Sequence, residues 1–315
     1  MKRRNRRKKK VHFGRIFAAL LIIVAVVIAA VVFVKFDKKP EKVVKSTQQS
    51  SSKIIQSSKK ELPKTQAVKW LNTKADNELP IMMYHAVLPN PQDTNTIDPT
   101  TFESDLKALQ DNHYTTVSSD DALKILTTHT IPSAKVVWLT FDDSLDNFYS
   151  NVFPLLKKYK MHATSFVITG NVGKAGFLTE AQIKEMAASG LVDFQSHTVT
   201  HTDLSLATDD QQTTELQQSK AYLDKLLNQK TFVICYPSGS HNEDTAQIAT
   251  NLGYKMGLLD PGRTYGNDVA KNLPATASTG MFLLNRYRTF PDMNGTSLMS
   301  TLADAENYNT QNVIN

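Results

Sequence analysis

The chain has 315 residues, a formal net charge of +6 and one cysteine, Cys235, so no internal disulfide can form and the fold must stand on its core. The charge is unevenly placed: residues 1–15 carry +9 and residues 35–78 carry +6, which leaves −9 for residues 79–315. An acidic folded part removes nucleic acid from the partners despite the basic total, and 79–315 is long enough for one sizeable domain.

Eight of the first ten residues are Lys or Arg, and nineteen residues without a polar side chain follow, 16–34. A helix of that length spans roughly 28 Å, close to the hydrocarbon core. The competing reading is a cleaved signal peptide, but its apolar region is usually about 7–15 residues and ends in a small-residue site; Phe33-Val34-Lys35-Phe36-Asp37 offers none. The expectation is an uncleaved signal anchor, residues 16–35, that makes a single pass through the cell membrane. It keeps the basic segment 1–15 in the cytoplasm and the C-terminal domain outside. Residues 36–78, rich in Lys, Ser and Gln, read as a flexible linker.

From residue 79 short apolar runs alternate with helical patterns. Strands are expected at 81–84, 136–141, 163–168, 191–195, 231–236, 255–259 and 282–287. Helices are expected at 101–112, 119–127, 145–159, 179–189, 209–228, 243–252 and 295–303. Thr179 with Gln182 resembles a capping box, and Gly190 and Gly253 fit helix ends. Alternating β and α elements argue for an α/β fold on a parallel sheet, open or closed into a barrel. In such folds the site forms at the carboxyl ends of the strands. There lie His85, the pair Asp142-Asp143, Ser196-His197 and Tyr236-Pro237.

Asp142-Asp143 suits a cation site with a neighbouring proton acceptor, or equally the cap of the helix that follows. His197 and His201, in an H-x₃-H spacing, suit two metal ligands, or two surface histidines. Together an Asp-His-His set leaves coordination positions open for water and substrate, as in catalytic zinc sites. Cys235, in an apolar run, reads as a buried small hydrophobe.

Thr140-Phe141-Asp142-Asp143 and His197-Thr-Val-Thr-His201 resemble the first two motifs of the NodB-homology polysaccharide deacetylases, carbohydrate esterases of the family-four type. Met82-Met83-Tyr84-His85 resembles the opening strand of the subgroup acting on poly-N-acetylglucosamine, and similarity extends over roughly residues 79–292. The resemblance implies a distorted (β/α) barrel of about seven parallel strands. It implies a hydrolase removing N-acetyl groups from N-acetylglucosamine residues of an extracellular polymer, either the exopolysaccharide or peptidoglycan. Asp142 would be the catalytic base, and Asp143, His197 and His201 would hold zinc, with cobalt, nickel or iron also compatible. The oxyanion would rest on that ion and on a backbone N–H of the third-motif segment Tyr236, Pro237, Ser238 and Gly239.

Three departures stand out. Ser144 replaces the usual Gly of the first motif. No Arg precedes Tyr236-Pro237, so Arg286 or Arg288 is the candidate to orient Asp142. No histidine follows His241, which removes the family's late histidine and makes His85 the candidate general acid. A wall glycan-binding module without catalysis and an O-acetyl esterase are the alternative functions. The expected partners are an acetylated glycan and the membrane, with a monomeric chain.

Overall fold

The structure, a computed structural model, describes residues 69–265 and 268–314. The expected span 16–35, the basic segment 1–15 and the linker as far as residue 68 lie outside them. Among the described residues no helix is long and apolar enough to cross a membrane.

Seven parallel strands form the framework: β1 (Ile81–Tyr84), β2 (Val136–Phe141), β3 (Ala163–Val167), β4 (Val192–Ser196), β5 (Val233–Cys235), β6 (Met256–Leu258) and β7 (Tyr287–Arg288). Their order is β6-β5-β4-β3-β2-β1-β7, and the short strand Thr115–Thr116 extends the sheet beside the first half of β2. The two edges are joined, because Leu284 bridges Leu258 while its N–H reaches Gly257 O at 3.0 Å. The sheet is therefore curled into the expected distorted barrel.

The helices are α1 (Pro99–Asp111), α2 (Ser119–Thr127), α3 (Phe153–Tyr159), α4 (Glu180–Ala188), α5 (Asp209–Leu227), α6 (Thr245–Asn251) and α7 (Gly295–Asn312). Parallel strands are covered on both faces, which explains their continuous apolar runs. Val137, Leu139 and Phe141 of β2 pack with Met82, Tyr84 and Phe194 against the helical layer. Val136 and Trp138 pack with Ile81, Phe166, Val233, Met256, Leu258 and Leu284 inside the barrel. Side chains alternate along a strand, so the next inward positions are Thr140 and Asp142 on β2, Cys235 on β5 and Arg286 before β7. The interior thus changes from hydrocarbon at mid-barrel to polar groups at the carboxyl end.

Three elements depart from expectation. The helix expected over 145–159 is a π-turn, Phe148–Val152, leading into α3. Pro154 has no N–H for the carbonyl four residues back, and the turn before it widens. The helix expected over 295–303 runs on to Asn312, because Ala305 and Asn309 are buried within a stretch that is otherwise polar. The linker also ends earlier than residue 78. Leu71–Asn72 pairs with Thr130–Ile131, Asn77 donates to three carbonyls of the α2 region, and Glu78 exchanges two backbone hydrogen bonds with the Asn309 side chain.

Candidate active site

The aspartate pair does not cap a helix. The turn after it starts at Asn147 with no side-chain cap. Asp142 continues the β2 alternation inward, its N–H bonded to Tyr84 O at 3.0 Å. Asp143 and Ser144 then take positive φ of 69° and 53°. This left-handed step turns both carboxylates toward one place instead of to opposite faces of the strand. It also explains why a glycine is usual at position 144: a serine there is strained by about 1 kcal/mol or more. Here the strain is offset because Ser144 Oγ donates to Phe166 O (3.1 Å) and shares a hydrogen bond with Ser165 Oγ (2.8 Å). Thr198, His201 and Ser238 also have positive φ, so backbone strain gathers in the three loops of this site.

Asp142 is almost fully buried and gripped by Arg286 in a two-pronged pair, Nη1 to Oδ1 and Nη2 to Oδ2, both 2.8 Å. Arg286 has no exposed surface and is itself oriented by Nε donating to Leu259 O at 2.7 Å. Burial alone would raise the Asp142 carboxyl, but the guanidinium overrides it and holds the group far below the usual carboxylate range. Arg288 takes a different role. It bonds Asp260 and, at 2.7 Å, Asn95 Oδ1, one layer above Asp142. Of the two arginine candidates only Arg286 meets the aspartate, and the assignment of Arg288 beside it is corrected accordingly.

His85 follows β1 with its Nε2 at 3.8 Å from Asp142 Oδ2. Burial lowers its pKa, with the two aspartates opposing, so the ring is neutral at neutral pH. Cys235 is buried as expected, but it also touches the site. Its Sγ lies 3.5 Å from Asp142 Oδ1, and burial keeps the thiol protonated and able to donate. Nothing in the sequence marks this contact, which arises because residues 142 and 235 share the inward parity of strands three places apart.

Asp143, His197 and His201 converge. Asp143 Oδ1 lies 3.5 Å from His197 Nε2 and 3.6 Å from His201 Nε2. Two ligands each about 2.1 Å from an ion at a tetrahedral angle stand about 3.4 Å apart. Asp143 Oδ1 is buried without a hydrogen-bond partner, a costly state for a carboxylate unless a cation completes it. His197 Nδ1 sits 2.7 Å from Cys235 O and donates to it, which leaves Nε2 as the ring nitrogen that faces Asp143. These observations fit a divalent ion. The alternative cluster of Asp142, His197 and Cys235 fits less well, because both Asp142 oxygens are already committed to Arg286.

The third-motif segment narrows one expectation. Tyr236 N–H donates to Leu258 O and Gly239 N–H to Tyr236 O, and Pro237 has no N–H, so none of these three offers an oxyanion donor. The Tyr236 ring is core, stacked on His241 at 5.4 Å. Gly239 is required by its φ of 72° and because a Cβ there would lie 2.7 Å from Asp260 N. Ser238, at φ 53°, is the one exposed residue of the four.

Residues 129–257 match the polysaccharide deacetylase family. The chain is 37% identical over 246 residues to YxkH of Bacillus subtilis, a protein placed among polysaccharide deacetylases; the match spans 78% of this chain and 82% of that one. It is 32% identical over 170 residues to a poly-beta-1,6-N-acetyl-D-glucosamine N-deacetylase of Staphylococcus aureus, over 50% of this chain and 58% of that protein. Among solved structures it resembles the Streptococcus pyogenes deacetylase PplD in complex with acetate. That similarity has a TM-score of 0.66 and 40% identity, over 72% of this chain and 99% of the other. It also resembles IcaB from Ammonifex degensii, with a TM-score of 0.61 and 27% identity, over 73% and 97% of the two chains.

Proposed function

Because this chain belongs to the polysaccharide deacetylase family and is a hydrolase of that kind, we propose that it removes N-acetyl groups from a polymer of N-acetylglucosamine outside the cell, using Asp142 as base and an ion held by Asp143, His197 and His201. The observation that carries this reading is the division of the aspartate pair. One carboxylate is held ionised by Arg286, while the other points an unpartnered oxygen at two imidazole nitrogens. The similarity to the staphylococcal enzyme favours poly-N-acetylglucosamine over peptidoglycan as the glycan. Residues 16–35 would anchor the domain to the membrane, a placement that rests on their apolar run alone.

A divalent ion, zinc on this donor set, would polarise the acetamide carbonyl and acidify a water beside it. The chain supplies the proton handling. Asp142 Oδ2 accepts a proton from the attacking water while Arg286 keeps the carboxylate fixed and charged. His85 Nε2 is close enough to take that proton on and deliver it to the amide nitrogen as the C–N bond breaks. Acetate leaves and a free amine remains on the sugar.

The test is acetate release from a panel of N-acetylated glycans and O-acetylated xylan, with and without a chelator. Asp142→Asn should abolish turnover yet keep stoichiometric metal, whereas Asp143→Asn should lose the metal. Release from the ester alone, or chelator-independent release, would overturn the reading.

A further inference from the structure

The two histidines of the ion site are held in different ways. His197 is buried and its ring is tied to Cys235 O. The His201 side chain is 38% exposed, and among the described residues no hydrogen bond holds its ring. Its position therefore depends on the backbone of the loop 197–201, which is strained at both Thr198 (φ 64°) and His201 (φ 61°).

That loop is gripped from two sides. On one side stands Glu215 of α5. Its Oε2 accepts the N–H groups of Val199 (2.7 Å) and Thr200 (2.9 Å), and its Oε1 accepts the Thr200 hydroxyl at 2.7 Å. On the other side, the N–H groups of Thr169 and Gly170, just past β3, donate to Thr198 O (3.1 Å) and Val199 O (2.8 Å). A Cβ at position 170 would lie 2.5 Å from Val199 O, so this approach needs glycine. Inside the loop Thr198 Oγ1 accepts the His201 N–H at 3.0 Å. The carboxylate bonds are charge-assisted, so they are the strong half of the grip.

We propose that Glu215 and Gly170 are positioning residues that clamp the 197–201 loop, set His201 against Asp143 and His197, and thereby set the affinity of the site for a divalent ion. The proposal rests on the metal reading above. Neither residue is among the proposed ion ligands. Partners that orient metal ligands typically change affinity about 10–100-fold when removed.

The test is titration of the metal-free protein with Co²⁺, following both affinity and the ligand-field spectrum, beside Tm measured in chelator. Glu215→Ala should weaken Co²⁺ by about 10–100-fold and alter the spectrum. Glu215→Gln, whose amide oxygen can still accept both N–H groups, should recover most of the loss. Gly170→Ala should weaken binding from the opposite side. If either Glu215→Ala or Gly170→Ala lowers Tm but binds Co²⁺ as the parent does, the residue is merely structural and the clamp is overturned. If Glu215→Ala does not fold, unchanged affinity in Gly170→Ala overturns it alone. A parent protein that binds no Co²⁺ would instead sink the metal reading, and the clamp with it.

Discussion

Arg286 decides what Asp142 can be. A buried carboxylate without a cation takes up a proton and can no longer act as a base at neutral pH. Arg286→Met should therefore remove activity and, by leaving Asp142 buried and unpaired, cost about 3–5 kcal/mol, read as a lower urea midpoint. Asp105 shows the opposite environment. Its Oδ2 accepts from Tyr84 Oη at 3.1 Å, its Oδ1 is buried with no partner, and burial pushes its pKa from 3.8 up to about 7. The folded chain then holds this proton longer than the unfolded chain does. Its contribution is fully present below about pH 4 and is lost as pH rises toward 7, by up to about 4 kcal/mol. Urea unfolding at pH 5 and pH 8 should show the decline, and Asp105→Asn should flatten it; equal slopes in both proteins would contradict the assignment. Asp142, Asp143 and His197 were legible because they follow directly on strand ends, and His201 because it stands four residues on from His197. Arg286 and Arg288 were not separable, since they share the same strand parity and differ only in height along the barrel. Glu215 left no signal at all, because its meaning lies in a loop brought to it by tertiary packing.

At the scale of elements, local chemistry was the readable part. Thr179 and Gln182 form the capping box that their spacing implies, and Thr208 with Gln211 forms another at the start of α5. Thr208→Ala should cost about 1 kcal/mol, visible as a lower Tm, and would leave the aspartate pair untouched. The strand pattern was clear wherever both faces are buried. It failed for the last strand, where regular pairing covers only Tyr287–Arg288 while residues 281–284 bond to β6. The pairing partner changes partway along the segment, and no periodicity records such a change. The length of α7 was hidden for a related reason. Asn309 is buried by its bonds to Glu78, a residue 231 positions away.

For the whole molecule, the folded body reaches back to about residue 71. A chain beginning at residue 69 should fold and melt as the longer protein does. One beginning at residue 79 loses the Leu71–Asn72 pairing and the three Asn77 hydrogen bonds, and should melt several degrees lower at roughly 1 kcal/mol for each bond lost. Unchanged melting would mean that this segment only rests on the surface.

The joining of β6 to β7 also imposes an order in time. During synthesis Asp142, Asp143, His197 and His201 all leave the ribosome before Arg286 does. An unfinished barrel thus already contains every proposed ion ligand, while the proposed base, Asp142, remains a carboxyl with nothing to keep it charged. On the proposed reading the ion could be acquired early, whereas catalysis would wait until the last strand closes the ring.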